Sequence, residues 1–142
     1  MSIQHPDALD VGSDLPAYRP GRITRAGLAL FGPASGDLNP IHLDIDVARA
    51  AGLEDVFAHG MLSMAFLGRL LTRVVDQGRI RSLSGRFVAI TPVLARPTCT
   101  GRVVAVETVD GETLATVELS VALEDGTQTI AGTAVVAFAD PA

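Results

Sequence analysis

Gly60-Met61-Leu62-Ser63-Met64-Ala65-Phe66-Leu67-Gly68-Arg69-Leu70-Leu71-Thr72-Arg73-Val74-Val75 is the longest apolar run of the chain. Met61, Met64, Ala65, Gly68, Leu71, Thr72 and Val75 recur in it at helical spacing. Up to Arg69 the run is apolar on nearly every face, and such a helix belongs at the centre of a fold rather than on its surface. Arg69 and Arg73 interrupt it, so it is too short and too charged for a membrane span. The spacing predicts a helix over 60–75 that must be covered on several sides.

The texture downstream is that of strands. Residues 81–90, 99–108, 114–123 and 127–138 are rich in β-branched side chains and bounded by turn signals. Asp110-Gly111 and Asp125-Gly126 separate the last three runs, and Asp-Gly pairs favour tight hairpin turns. The C-terminal half therefore reads as an antiparallel meander. A long apolar helix followed by antiparallel strands predicts an α+β fold, a curved sheet wrapped round a helix. One such sheet leaves strand edges open, and two-fold pairing is the usual remedy.

Upstream, residues 1–16 read as a loose lead-in containing His5, Pro6 and Pro16, and 17–142 as one domain. An extended segment is expected over 18–23. Thr24 then caps a brief helix over 25–31, which Gly32-Pro33 ends. Asp44 or Asp46 caps a second short helix that stops at Gly52.

Between these helices lies Ser35-Gly36-Asp37-Leu38-Asn39-Pro40-Ile41-His42. Gly36 permits unusual backbone angles, and Pro40 fixes its own φ and steers Asn39 away from helix. The expectation is a rigid, non-helical loop over 34–43. It can point Asp37 and His42 into one space, as acid–base chemistry on a small substrate requires. Asn39 either positions a substrate water or merely forms the turn ahead of Pro40.

This motif, with Ala58-His59-Gly60-Met61-Leu62 downstream of it, resembles the MaoC-like hydratases, the (R)-specific enoyl-CoA hydratases and related 3-hydroxyacyl-thioester dehydratases. The likeness runs loosely over 22–138. It implies a hot-dog fold and a dimer with active sites near the shared interface. It also implies a hydro-lyase acting on enoyl or (R)-3-hydroxyacyl thioesters of CoA or acyl carrier protein, with no cofactor. Asp37 and His42 match the catalytic pair; Ser35, Asn39, Gly60 and His59 are the expected substrate-side residues. At Gly60 a helix start offers unpaired backbone N–H groups at a positive dipole end, where an oxyanion can settle. His59 is either a substrate contact or a structural histidine tying the helix start to nearby backbone. The second is favoured, since Asp37 and His42 already make a pair. Where relatives continue Pro-Val-x-Pro-Gly-Asp, this chain has Pro92-Val93-Leu94-Ala95-Arg96-Pro97, so the Gly-Asp turn is missing.

Other classes fare worse. With 142 residues, 48% apolar, 19% charged and a formal charge of −5, the chain is one ordered domain without the basic stripe of a nucleic-acid surface. The single Cys99 forms no internal disulfide and reads as a small buried residue in a cytoplasmic protein. Residues 1–14 are polar and lack an apolar run, so they do not read as a signal peptide. Asp37, His42, Asp44 and His59 lack any familiar metal-ligand spacing, so no metal is expected. Arg69, Arg73, Arg81, Arg86 and Arg96 read as mainly solvated, with a phosphate contact as the alternative. Met61, Leu62, Met64 and Leu67 read as core before acyl pocket. Two rival functions remain: a hot-dog thioesterase, in which a carboxylate directs water at the carbonyl, and a subunit of a heterodimeric dehydratase.

Overall fold

The computed structural model describes residues 9–138. His5, Pro6 and the rest of 1–8 lie outside the described residues. Three helices, α1 (Arg25–Ser35), α2 (Ile45–Ala50) and α3 (Gly60–Leu71), precede four strands: β1 (Ile80–Phe87), β2 (Thr98–Val109), β3 (Glu112–Ala122) and β4 (Gln128–Phe138). The strands form one antiparallel sheet in the order β1-β4-β3-β2. α3 lies against its inner face and touches β1, β2 and β3. This is the hot-dog arrangement.

The hairpin signals hold. Asp110 and Gly111 both have positive φ (51° and 81°), the pattern of a two-residue turn matched to strand twist. At the second turn the Asp125 carboxylate accepts from Thr127 N (2.9 Å), and Gly126 takes φ 86°. Only β2, β3 and β4 form a meander, however; β1 pairs with β4, not with its sequence neighbour β2. The connection over 88–97 explains this. After Val88 N and Ala89 N bond to Thr129 O of β4 (3.0 and 3.4 Å), it leaves the sheet and runs along residues 56–58 and Ile23, through Ala58 N→Thr91 O (2.9 Å), Val93 N→Val56 O (3.3 Å) and Leu94 N→Ile23 O (2.7 Å). Pro92 and Pro97 have no N–H with which to extend a ladder.

Period-two alternation puts Ala115, Val117, Leu119 and Val121 of β3 inside, facing Leu67, Leu70 and Leu71 of α3 in the main core. Gly85, Gly132, Leu119 and Gly101 lie in register across all four strands. A Cβ at Gly85 would come within 2.5 Å of Met64 Sδ, and one at Gly101 within 2.9 Å of Leu15. The glycine row thus lets α3 and residues 9–18 press onto the sheet. Leu9 and Leu15 are buried there, and Leu15 N bonds to Gly101 O (2.8 Å).

Two helix boundaries differ from expectation. α1 continues through Gly32-Pro33 to Ser35 and ends at Gly36, φ 79°. Pro33 removes one helical N–H, but Ser35 Oγ donates to Gly32 O (3.2 Å) and closes the last turn. α3 stops at Leu71, short of Val75. Arg73 and Val74 bond three residues back rather than four, tightening the chain so that Val74 and Val75 enter the core. Burial of α3 is also one-sided: Ser63, Leu67, Leu70 and Leu71 are buried, while Met61 is 60% exposed. Among the described residues no helix is long and apolar enough to cross a membrane.

Candidate active site

The segment after α1 is held by side chains that bond two residues ahead. Ser35 Oγ accepts from Asp37 N (3.3 Å), Asp37 Oδ1 from Asn39 N (3.3 Å) and Asn39 Oδ1 from Ile41 N (3.1 Å). Ser, Asp and Asn at alternating positions make such turns readily. Pro40 then opens a 3₁₀ turn, Pro40–His42, so the expected non-helical loop is in part helical. Asp44 accepts from Asp46 N (2.9 Å) and caps α2. Ser35 uses both its hydrogen-bonding functions within the chain, and the carbonyl end of Asn39 is committed to the turn.

This geometry brings Asp37 and His42 together. His42 is 7% exposed, and its Nδ1–H donates to Phe57 O (2.8 Å), because a carbonyl only accepts. That bond leaves a lone pair on Nε2 in the neutral ring. Nε2 stands 3.7 Å from Asp37 Oδ2, too far for a direct hydrogen bond but close enough for both to reach one small molecule. The Asp37 side chain is about half exposed.

His59 is wholly buried. Its Nε2–H donates to the backbone carbonyl of Asp37 (3.2 Å), and its Nδ1 has no partner. The ring stacks on His42 (centroids 4.0 Å, 27°) and meets Phe31 edge-on (5.1 Å). Burial holds the imidazole below the usual histidine value, and His42 pushes the same way; the Asp37 carbonyl and carboxylate oppose them. Asp37, His42 and His59 each bring a donor atom within 4.8 Å of the others. Nitrogen and oxygen donors suit zinc, but lone pairs must converge on an ion at about 2.0–2.1 Å. In the present arrangement one nitrogen of each ring is bonded to a backbone carbonyl, His42 Nδ1 to Phe57 O and His59 Nε2 to Asp37 O.

Gly60 begins α3 immediately after His59, which provides no side-chain cap. The first backbone N–H groups of the helix therefore lack helical partners. Gly60 also lines a cleft of about 380 Å³, with Phe57, Ala58, Ser63, Phe87, Val88 and Thr91 among its walls. The cleft is mostly apolar, and its buried Ser63 and Thr91 hydroxyls lie 3.4 Å apart. Sequence reasoning missed these walls. Ser63 was findable, as a polar residue among apolar ones in the first turns of α3. Val88 to Ile90 read as the end of a strand because nothing local shows where the chain leaves the sheet.

Other expectations resolve simply. Leu67 is core, Leu62 packs in a second cluster with Ile23, Leu28 and Val56, and Met64 packs on the main core. Met61 is exposed rather than core, because no described element covers that side of α3. Arg81 pairs with Glu112, and Arg73 lies over the Tyr18 ring at 5.4 Å. Cys99 is fully buried, and burial pushes its thiol up to about 12. Leu94 has φ 70° in the turn that closes from Ala95 N to Pro92 O (3.3 Å). It stands in the left-handed region, with glycine absent from this turn.

The profile of the MaoC like domain matches residues 9–127. The chain is 32% identical over 109 residues to 3-hydroxyacyl-thioester dehydratase Z of Mycobacterium tuberculosis, covering 72% of each. It is 32% identical over 68 residues to peroxisomal enoyl-CoA hydratase 2 of Arabidopsis thaliana, of which it covers 22%. It spans only 3% of a larger relative, fatty acid synthase beta subunit TOXC of Cochliobolus carbonum. Among solved structures, the (R)-hydratase from A. caviae superposes with a TM-score of 0.79 at 27% identity, covering 91% of this chain and 96% of that one. R-hydratase PhaJ1 from Pseudomonas aeruginosa gives 0.79 at 26%, with coverages of 91% and 82%. Sequence and fold agree over nearly the whole length, and the chain belongs to the MaoC-like domain family.

Proposed function

We propose that the protein catalyses reversible addition of water to trans-2-enoyl thioesters, giving (R)-3-hydroxyacyl thioesters. The observation that carries this is the 3.7 Å separation of Asp37 Oδ2 and His42 Nε2, with the His42 tautomer set by Phe57 O, beside a cleft that starts at the N-terminus of α3. The thioester oxygen would sit against the Gly60 N–H, where the helix dipole favours negative charge. Water held by Asp37 and His42 attacks the β carbon and gives its proton to the pair. The double-bond electrons pass to the thioester oxygen, and the resulting enolate takes a proton at the α carbon. One water is consumed, and nothing is oxidised or reduced. The pair handles the proton jointly. Ser35 and Asn39 shape the loop that carries Asp37.

The acyl carrier would be CoA or acyl carrier protein, which present the same thioester arm. We further propose that the chain works as a homodimer, the heterodimer being the alternative. Among the described residues β1 is an unpaired sheet edge, and exposed Phe87, Val88 and Ile90 line the open cleft. The ChsH1-ChsH2 complex and the truncated HadBC complex of Mycobacterium tuberculosis contain chains of this fold, with TM-scores of 0.78 and 0.72. The deciding experiment is purified protein with crotonyl-CoA. Loss of enoyl absorbance without free thiol supports hydration; thiol release with no loss of the enoyl group would establish a thioesterase instead. Activity that appears only after mixing with a second chain would identify a heterodimer.

A further inference from the structure

We propose that His59 is a positioning residue for this reaction: through Nε2–H it fixes the Asp37 carbonyl and so registers the proton-handling pair against the oxyanion donor at Gly60. The inference rests on the hydration reading above and adds to it how the two halves of the site are held together. Asp37 and His42 come from the segment after α1, and Gly60 from the start of α3; these are distant in sequence. His59 is the covalent neighbour of Gly60 and bonds to the Asp37 carbonyl at 3.2 Å. Its ring also packs on His42 at 4.0 Å. A single side chain thus touches both members of the pair and abuts the donor.

Packing alone does not explain a histidine here. The Nδ1 atom is buried without a partner, and an orphaned buried acceptor destabilises the fold. Phenylalanine would stack on His42 and Phe31 without that cost. What histidine adds is the Nε2–H donor. The surroundings are built to admit the bond: a Cβ on Gly32 would lie 3.2 Å from Asp37 O and 3.6 Å from His59 Nε2. The carbonyl fixed by this bond belongs to the residue whose carboxylate faces His42. Misplacing a reacting group by about 1 Å can cost on the order of a hundredfold in rate.

The test uses the full chain and separates donor from ring. His59→Phe keeps the ring and loses the donor; His59→Gln keeps a donor near the same place and loses the ring. Positioning predicts that His59→Phe lowers kcat about a hundredfold at nearly unchanged KM, without a fall in melting temperature. His59→Gln should recover most of that loss. Because His59 acts through Asp37, His59→Phe should cost under about threefold when Asp37 is already Asn, since residues of one unit fail together. A kcat within threefold of the parent, or a loss of full size in the Asp37→Asn background, overturns the proposal. If His59→Phe does not fold, His59→Gln takes its place, and a Gln variant that has lost the full hundredfold overturns it too. A failure of the hydration reading looks different: the parent protein itself would then leave the enoyl absorbance of crotonyl-CoA unchanged.

Discussion

Replacing Asp37 by Asn removes the charge facing His42 and leaves nearly everything else in place. The Asp37 side chain is about half exposed, and the bond it accepts from Asn39 N is one an asparagine oxygen also accepts. Stability should therefore move by no more than about 0.5 kcal/mol. Two losses act on turnover. The first is electrostatic. At 3.7 Å a carboxylate and an imidazolium attract by about 1 kcal/mol in a water-like medium and about 4.5 kcal/mol at an effective dielectric near 20. Exposure of the Asp37 carboxylate to water places the pair toward the lower figure, which is about sixfold in rate. The second is loss of the proton acceptor, typically about 10²–10⁴-fold. The second effect dominates, so hydration of crotonyl-CoA should fall at least about a hundredfold at unchanged melting temperature. His42→Ala should fall alike, and the double variant only a little further, because either loss alone disables the pair. Asp37→Asn hydrating within threefold of the parent, or losses that multiply in the double variant, would refute the pairing.

Gly60→Ala tests the oxyanion site. The new Cβ would come within 2.9 Å of the Phe87 ring edge, but Phe87 is 52% exposed and free to yield. The fold should survive by circular dichroism, while kcat/KM drops about ten- to a hundredfold as the methyl displaces the thioester oxygen; undiminished activity would remove Gly60 from the mechanism. His59 predicts a pH effect on stability. Its folded value lies below the ordinary 6.5, so below about pH 6.5 the unfolded chain binds a proton that the folded chain does not, and stability falls as pH drops. The charged and titratable groups in contact with it are His42 and Asp37. The decline in melting temperature between pH 7.5 and 5 should be shallower in His59→Gln; equal slopes contradict the assignment. Cys99, held near 12 by burial, should resist iodoacetamide at pH 8 until denaturant is added, and rapid alkylation of the native protein would show that β2 opens.

Much of the candidate site was legible because its chemistry is local. Ser35, Asp37 and Asn39 each bond to the backbone two residues on, so spacing alone predicts a rigid turn. The same holds for a cap at Asp44 or Asp46, of which the structure uses Asp44, and for the tight turn at Asp110-Gly111. Pro33 misled for a local reason too: its sequence signal stops a helix, yet Ser35 closes the turn beyond it. The β1 placement was not legible, because whether the chain pairs with β2 or crosses to β4 depends on where residues 88–97 find partners. Beyond Val88 and Ala89, which bond to Thr129 O, those partners are residues 56–58 and Ile23, far away in sequence.

By itself the sequence determined the alternation of the strands, the turns between them and the rigid segment bearing Asp37 and His42, since each follows from contacts within a few residues. Only the tertiary structure decided that His59 packs against both, with its donor on the Asp37 carbonyl and its ring on His42. It also decided that Gly60 opens onto a cleft walled by Phe87 to Thr91. Those relations join segments whose order in the chain carries no information about distance, and they exist only once the glycine row lets α3 settle on the sheet.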